Sequence, residues 1–145
     1  MELRGLVHHV ELYVGDLERS IGFWGPLLTE LGYECETEWD DGTRWRRGPT
    51  ALSFVQVPDD GAGGFDRRQV GLNHVAFHVG TERDVDVLTE RLTATAGARL
   101  LYPERHPHAG GPTHYAAFLE DPDGIKVELV ASDAPGPSGR SGSGG

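Results

Sequence analysis

Two short stretches, HHVELYV at residues 8–14 and NHVAFHV at residues 73–79, decide how this sequence is organised. In each of them apolar residues alternate with polar ones, which predicts a β-strand with one buried face and one polar face. The shift along the chain that superposes His9 on His74 also superposes the apolar positions of the two stretches. This internal repeat predicts two copies of one structural unit.

The elements that follow each stretch repeat as well. In the first copy, apolar residues at helical spacing predict a helix that is capped by Asp16, interrupted at 25–26 and ended by Gly32. The strands predicted after it lie near residues 33–38, 43–47 and 51–57. In the second copy, a helix capped by Thr81 and ended by Gly97 is predicted. The strands after that helix lie near residues 99–102, 114–119 and 125–131. Each copy therefore has the order βαβββ, and the predicted fold class is α+β.

The distribution of glycine and proline sets the expected boundaries. We expect one folded domain over 5–131, with module one at 5–59 and module two at 70–131. The glycine-rich stretch at 60–69 is a linker, and the tail at 132–145 is expected to be disordered because it has almost nothing to bury.

Composition excludes several classes of function. The chain has 145 residues, 37% of them hydrophobic, and a formal net charge of −10. Phosphate backbones and anionic membranes recruit basic surfaces, so neither nucleic acid nor a membrane is an expected partner. No run approaches the roughly 18 consecutive apolar residues of a membrane span, and the N-terminus lacks the layout of a signal peptide. We therefore expect a cytoplasmic protein whose partner is a small-molecule substrate.

Histidine recurs on the polar face of both opening strands. Side chains two positions apart share a face of a strand. The first strand presents His9, Glu11 and Tyr13 together. The second strand presents His74, Ala76 and His78 together. A single histidine in such a place is most often structural, but the repeated pair favours a shared role at an open site.

A carboxylate also interrupts the apolar run of the last predicted strand. In EDPDGIKVELV at 120–130, a tight turn at 121–124 leads into a strand where Val127 and Leu129 flank Glu128. A carboxylate among apolar residues is costly unless it is paired or bound to a metal ion. The alternative is that Glu128 faces solvent on an amphipathic strand.

Together, HHVELYVGDLERSIGFW, NHVAFHV and EDPDGIKVEL resemble the vicinal oxygen chelate superfamily. This group contains glyoxalase I, fosfomycin-resistance thiol transferases, extradiol dioxygenases and bleomycin-resistance proteins. The resemblance covers 5–131 and implies two βαβββ modules that form a partly open barrel around a divalent metal ion (Fe, Mn, Ni, Zn or Co). It implies His9, His74 and Glu128 as the metal ligands. Two units with open sheet edges also favour a homodimer.

The resemblance implies a metal-dependent enzyme of glyoxalase-like type that acts on a small molecule with adjacent oxygens. The chemistry would be isomerase, lyase or thiol transfer through a metal-stabilised oxyanion. Two alternatives stay open: an extradiol-type iron(II) dioxygenase, and a metal-free protein of small-molecule binding or antibiotic resistance. Glyoxalase I-like members carry another carboxylate ligand where this chain has ALSFVQV, with Ser53 among the counterparts. Extradiol dioxygenases carry a tyrosine where this chain has Phe118.

Residues beyond the metal ligands are assigned from their place on the strands. Glu11 is the candidate catalytic base because it follows His9 by two residues, and the alternative is a structural ion pair with an arginine such as Arg47. His78 is a candidate proton donor or support for the ligands. The predicted substrate pocket comprises Tyr13, Trp45, Arg47, Phe54, Gln56 and Tyr115. The loop YPERHPHAGGPTHY is suited to a lid, with an ordinary surface loop as the alternative.

Overall fold

A computed structural model describes residues 2–58 and 64–132 of the chain. Both halves have the predicted order. The first comprises β1 (His9–Val14), α1 (Leu17–Glu30), β2 (Glu34–Trp39), β3 (Gly42–Arg47) and β4 (Thr50–Gln56). The second comprises β5 (His74–Gly80), α2 (Glu82–Thr95), β6 (Arg99–Leu100), β7 (Ala116–Glu120) and β8 (Lys126–Ala131). The predicted tail lies outside the described residues, apart from Ser132.

Each half folds into its own four-stranded sheet with the same topology. Sheet one has the order β1-β4-β3-β2, and sheet two has the order β5-β8-β7-β6. The first strand of each half pairs in parallel with the last, and the other pairings are antiparallel. Among the described residues the two sheets do not join into a closed barrel. The predicted α+β fold of two βαβββ units is confirmed.

Both helices begin at the predicted caps. The side chain of Asp16 accepts a hydrogen bond from the backbone N–H of Arg19, which satisfies one of the free donors at the start of α1. Thr81 and Asp84 form a reciprocal capping box at the start of α2. These local signals could be read from the sequence because a cap depends on residues only a few positions apart.

Helix α1 does not break at 25–26 as the sequence predicted. It continues through Pro26 to Glu30, although proline removes one backbone donor and crowds the preceding turn. The residues on either side of the proline are fully buried: Phe23, Trp24, Leu27 and Leu28. Burial of this apolar stripe against sheet one outweighs the local cost of the proline.

A single hydrophobic core joins the two halves. The buried cluster includes Phe54 of sheet one, Leu129 of sheet two and side chains from both helices, which contact each other. Because each sheet places its apolar face on this core, its polar face lies on the side away from the core. The polar faces of the two sheets therefore do not face each other across the interior of the chain.

A polar junction also connects the halves through the turn before β8. The indole N–H of buried Trp24 donates to Asp121 at 2.9 Å, and the backbone N–H of Gly15 donates to Asp123 at 3.2 Å. Asp121 also accepts from the backbone N–H of Ile125 at 2.8 Å. Burial raises the pKa of the Asp121 carboxyl, although these donors act in the opposite direction. The turn is thus fixed to module one at the point from which β8 departs.

No helix in the described part of the chain has the length and apolar character needed to cross a membrane. Helices α1 and α2 have 14 residues each and carry charged residues on their outer faces.

Candidate metal centre

A carboxylate between two imidazoles is the most enclosed polar feature of sheet two. Nε2 of His74 lies 3.0 Å from one oxygen of Glu128, and Nε2 of His114 makes a close hydrogen bond with the other. The side chain of Glu128 is only 8% exposed. The register explains this grouping, since Ala76 of β5 and Phe118 of β7 both pair with Glu128. His74 lies two positions before Ala76, and His114 lies four positions before Phe118.

The partners of Glu128 are chemically informative. A buried carboxylate needs compensation, and within the described residues its ion-pair partners are histidines alone, with no arginine or lysine within 4.0 Å. Imidazole nitrogen and carboxylate oxygen are the donor atoms that divalent transition metals bind. The residues present at this position therefore supply buried donor atoms of the kind that a divalent metal ion binds.

His114 reaches Glu128 because the loop before β7 folds over the polar face of sheet two. This cover consists of Leu101, Tyr102 and Ala109, which pack with Phe118 and other residues of the sheet. The ammonium group of Lys126 lies 5.5 Å from the ring centres of Tyr102 and Phe118, and it donates to the Tyr102 hydroxyl at 3.3 Å. The loop thus packs on the polar face that carries Glu128.

The polar face of sheet one is open by comparison. His9 and Glu11 are exposed, Tyr13 is 65% exposed, and all six residues of β2 are exposed. The recorded polar contact of His9 is with the ring of His8, at 2.9 Å between the two Nδ1 atoms. None of the ion pairs among the described residues includes Glu11, so its alternative role as the partner of Arg47 finds no contact here.

Two of the three predicted ligands come together, and the third lies elsewhere in the chain. His74 and Glu128 are in contact on sheet two, whereas His9 belongs to sheet one and makes no recorded hydrogen bond with either. Within residues 2–58 and 64–132 no three histidine, cysteine or acidic side chains are arranged to hold one metal ion. A complete site from the predicted ligands thus requires His9 to come from another copy of the chain or from a rearrangement.

Most of the predicted pocket residues of module one lie on its apolar face. Phe54 is buried against Trp24, and the indole of Trp45 lies beside α1. Its N–H is buried and has no hydrogen-bond partner among the described residues. Gln56 accepts a hydrogen bond from the backbone N–H of Leu17 at the start of α1. Phe54, Trp45 and Gln56 therefore lie on the face of sheet one opposite to His9. The strand register shows which residues of neighbouring strands share each face.

Three further predicted residues make contacts on other elements. Arg47 donates to the carbonyl of Leu31 at the end of α1, where a cation complements the helix dipole. The hydroxyl of Tyr115 donates to Asp86 on α2 at 2.6 Å, and this bond raises the pKa of Tyr115 to about 12. His78 lies on the polar face of sheet two and contacts the hydroxyl of Ser132.

Sequence reasoning missed two groups that the register brings to the polar faces. His114 shares a face with Phe118 by the period-2 rule, so counting back from the partner of Glu128 could have identified it. On sheet one, Glu11 pairs with Ser53, which pairs with Arg44 on the next strand. Arg44 and Arg46, which the sequence analysis did not assign to the site, therefore share the face of His9.

Comparison with known proteins identifies the family of the chain. The sequence profile of the Glyoxalase/Bleomycin resistance protein/Dioxygenase superfamily matches residues 6–129. The chain belongs to that superfamily. This glyoxalase-superfamily chain is 52% identical over 126 residues to the uncharacterized protein YqjT of Bacillus subtilis, covering 86% of this chain and 98% of the relative.

A solved structure and a second relative extend the likeness. A glyoxalase-like crystal structure from Bacillus halodurans matches with a TM-score of 0.86 and 50% identity, covering 90% of this chain and 98% of that chain. The glutathione transferase FosA of Serratia marcescens is 31% identical over 125 residues, which is 85% of this chain and 78% of that protein. The predicted membership of the vicinal oxygen chelate group is confirmed.

Proposed function

We propose that this superfamily member is a divalent-metal-dependent enzyme of glyoxalase-like type that acts on a small molecule with adjacent oxygens. The observation that carries the proposal is the buried carboxylate of Glu128, whose two oxygens contact imidazoles and no arginine or lysine within the described residues. A structural carboxylate on an ordinary sheet face would be solvated or paired with a permanent cation. A carboxylate held by imidazoles is suited to a metal ion.

The proposed ligands are His74 and Glu128 of one chain and His9 of a second copy. A metal ion bound there would polarise two adjacent oxygens of a substrate and make the neighbouring C–H more acidic. The polar faces of the two sheets lie on the sides away from a common core, which supports a site built between two chains. Cyclic dimers form two equivalent sites of this kind by symmetry.

Residues of the open face would carry the proton. Glu11 lies two residues from His9 on the same face, with Cα atoms roughly 6 to 7 Å apart, and it is exposed without an ion pair among the described residues. It is therefore free to accept a proton from a bound substrate. His78, exposed on the polar face of sheet two, would return a proton or orient the ligands.

Metal titration tests the ligand set. After treatment with a chelator, the wild-type protein should bind Mn²⁺ in calorimetry, and His9→Ala and Glu128→Gln should each weaken binding by at least about 100-fold. His106→Gln is the matched control because the side chain of His106 makes no hydrogen bond within residues 2–58 and 64–132. Absence of Mn²⁺, Zn²⁺ and Fe²⁺ binding by the wild type would instead favour a metal-free binding protein.

Mixing the two variants that bind Mn²⁺ weakly, His9→Ala and Glu128→Gln, tests whether the site is assembled within one chain or between two. If each site takes His9 from one copy and Glu128 from the other, exchange of subunits between His9→Ala and Glu128→Gln restores about one quarter of the sites. If all three ligands come from one chain, mixing restores none. Oxygen-dependent cleavage of catechol by the iron-loaded protein would favour the dioxygenase alternative.

A further inference from the structure

Arg44 differs from the other arginine of its strand face in what it contacts. Its Nε donates to the hydroxyl of Ser53 at 2.8 Å, whereas Nε of Arg46 donates to the carboxylate of Glu36 at 2.7 Å. Within the described residues Arg44 has no carboxylate within 4.0 Å. Arg46 therefore makes a direct ion pair, whereas Arg44 makes none among the described residues and contributes to lowering the pKa of Glu36 only from a greater distance.

Arg44 lacks a direct ion pair although the chain is strongly acidic. The chain has 23 aspartate and glutamate residues against 13 lysine and arginine residues. Arg44 is half-buried, and Ser53 beneath it is fully buried. A cation that is partly removed from water and lacks an internal anion has unused capacity to bind one.

The contact with Ser53 also fixes the direction of the guanidinium group. Ser53 lies on β4, between Arg44 on β3 and Glu11 on β1. Because Nε is taken by Ser53, the guanidinium lies over β4, one strand spacing of about 5 Å from the strand that carries His9 and Glu11. Its terminal nitrogens remain for a planar anion, which guanidinium binds through two parallel hydrogen bonds.

We propose that Arg44, oriented by Ser53, binds a carboxylate or similar oxyanion group of the substrate, beside the adjacent oxygens that the metal would hold. The position of this group beside metal-bound oxygens rests on the proposed function, whereas the binding of an oxyanion by Arg44 does not. The proposal predicts that the preferred substrate is an acid whose anionic group is separate from its two chelating oxygens. Arg44 is then a residue that determines substrate specificity.

A pair of probes with the same chelating oxygens tests the proposal. Both 3,4-dihydroxybenzoate and 3,4-dihydroxybenzamide present adjacent hydroxyl groups, and only the first is anionic. The wild-type protein loaded with Mn²⁺ should bind the benzoate about 10-fold more tightly than the benzamide, as measured by calorimetry. Arg44→Gln should abolish this preference by weakening only the benzoate.

Further variants separate a specific contact from a general effect of charge. Arg83→Gln removes the same charge from an exposed position on α2 and should leave the preference unchanged. Arg44→Lys keeps the charge but loses the paired donors, so it should retain only part of the preference. Ser53→Ala should reduce the preference for the benzoate about threefold, since the guanidinium of Arg44 loses the contact that orients it.

The metal-free protein distinguishes failure of this inference from failure of the proposed function. If the protein binds no metal but still prefers the benzoate through Arg44, the anion site stands and metal dependence is wrong. If metal binds and both probes bind equally, or if Arg44→Gln keeps the wild-type preference, the role of Arg44 is overturned. Equal loss in Arg44→Gln and Arg83→Gln overturns it as well, because it indicates only a long-range charge effect.

Discussion

The two halves of the molecule share one topology but treat their polar faces in opposite ways. In the second half, the loop at 101–115 covers the face and brings His114 to Glu128. In the first half the face is open, with β2 wholly exposed and His9 and Glu11 accessible. Duplication of one unit has therefore produced two different surfaces. The polar face of sheet two holds the carboxylate of Glu128 between two histidines. The polar face of sheet one presents His9, Glu11 and Arg44 on an open surface.

The largest effect is expected in the core that the halves share. Phe54→Ala and Leu129→Ala remove fully buried side chains from opposite halves, and each should lower the free energy of unfolding by about 2 to 5 kcal/mol. Because the core is continuous, denaturant unfolding should remain a single transition in both variants. Two separate transitions would mean that the halves fold independently.

The closed face depends on His114. His114→Ala leaves one oxygen of the buried Glu128 carboxylate without its donor, so the affinity for Mn²⁺ should fall about 10- to 100-fold. Calorimetric titration measures this change, with His106→Gln on the same loop as the control. Wild-type affinity in the His114 variant would show that the loop covers the face without orienting the ligand.

The junction between the halves should respond to Asp121→Asn. One Asp121 oxygen accepts from Trp24 and the other from two backbone N–H groups, so an amide loses one of these sets at a cost of about 1 to 3 kcal/mol. Urea unfolding at neutral pH measures this loss, and a wild-type unfolding free energy would contradict the role of these bonds.

The same variant tests the pH dependence of the junction. Burial raises the pKa of Asp121 above its value in the unfolded chain, so the ionised form costs stability. The wild type should therefore gain stability relative to Asp121→Asn as the pH falls through the raised pKa toward the unfolded value. A difference that does not change with pH over this window would contradict the raised pKa.

The smallest effect concerns the bond between Tyr115 and α2. Tyr115 should titrate near pH 12 because its hydroxyl donates to Asp86, and Asp86→Asn should return the pKa toward 10. Absorbance at alkaline pH, compared with Tyr115→Phe, identifies this residue. The bond should add a little stability that is present below pH 10 and is lost as the pH rises toward 12. Identical titrations in the wild type and Asp86→Asn would contradict the assignment.

Much of the fold could be predicted because it depends on local signals. The alternation in NHVAFHV, the caps Asp16 and Thr81 and the repeat itself are each visible within a few residues or by a simple shift. The path of α1 through Pro26 could not be predicted, since burial against sheet one decides it. Local sequence gives the propensity of a segment, and tertiary packing can override it.

Prediction of the site reached a limit for a related reason. Alternation along one strand placed His9 with Glu11, and that grouping needs no partner strand. Which residues of neighbouring strands share the face depends on register, and register led to Arg44 in place of Arg47. His114 was not assigned to the site, although it shares a face with Phe118, and the loop before β7 brings it into contact with Glu128.

The junction at Asp121 and Asp123 has a consequence for how the two surfaces are placed. Asp123 holds the backbone of Gly15 at the end of β1, and the same turn leads directly into β8. The strand that carries His9 and the strand that carries Glu128 therefore share one anchor, although their polar faces lie apart. The placement of His9 relative to Glu128 within one chain therefore depends on this single turn, and a change in the turn would alter both polar faces at once.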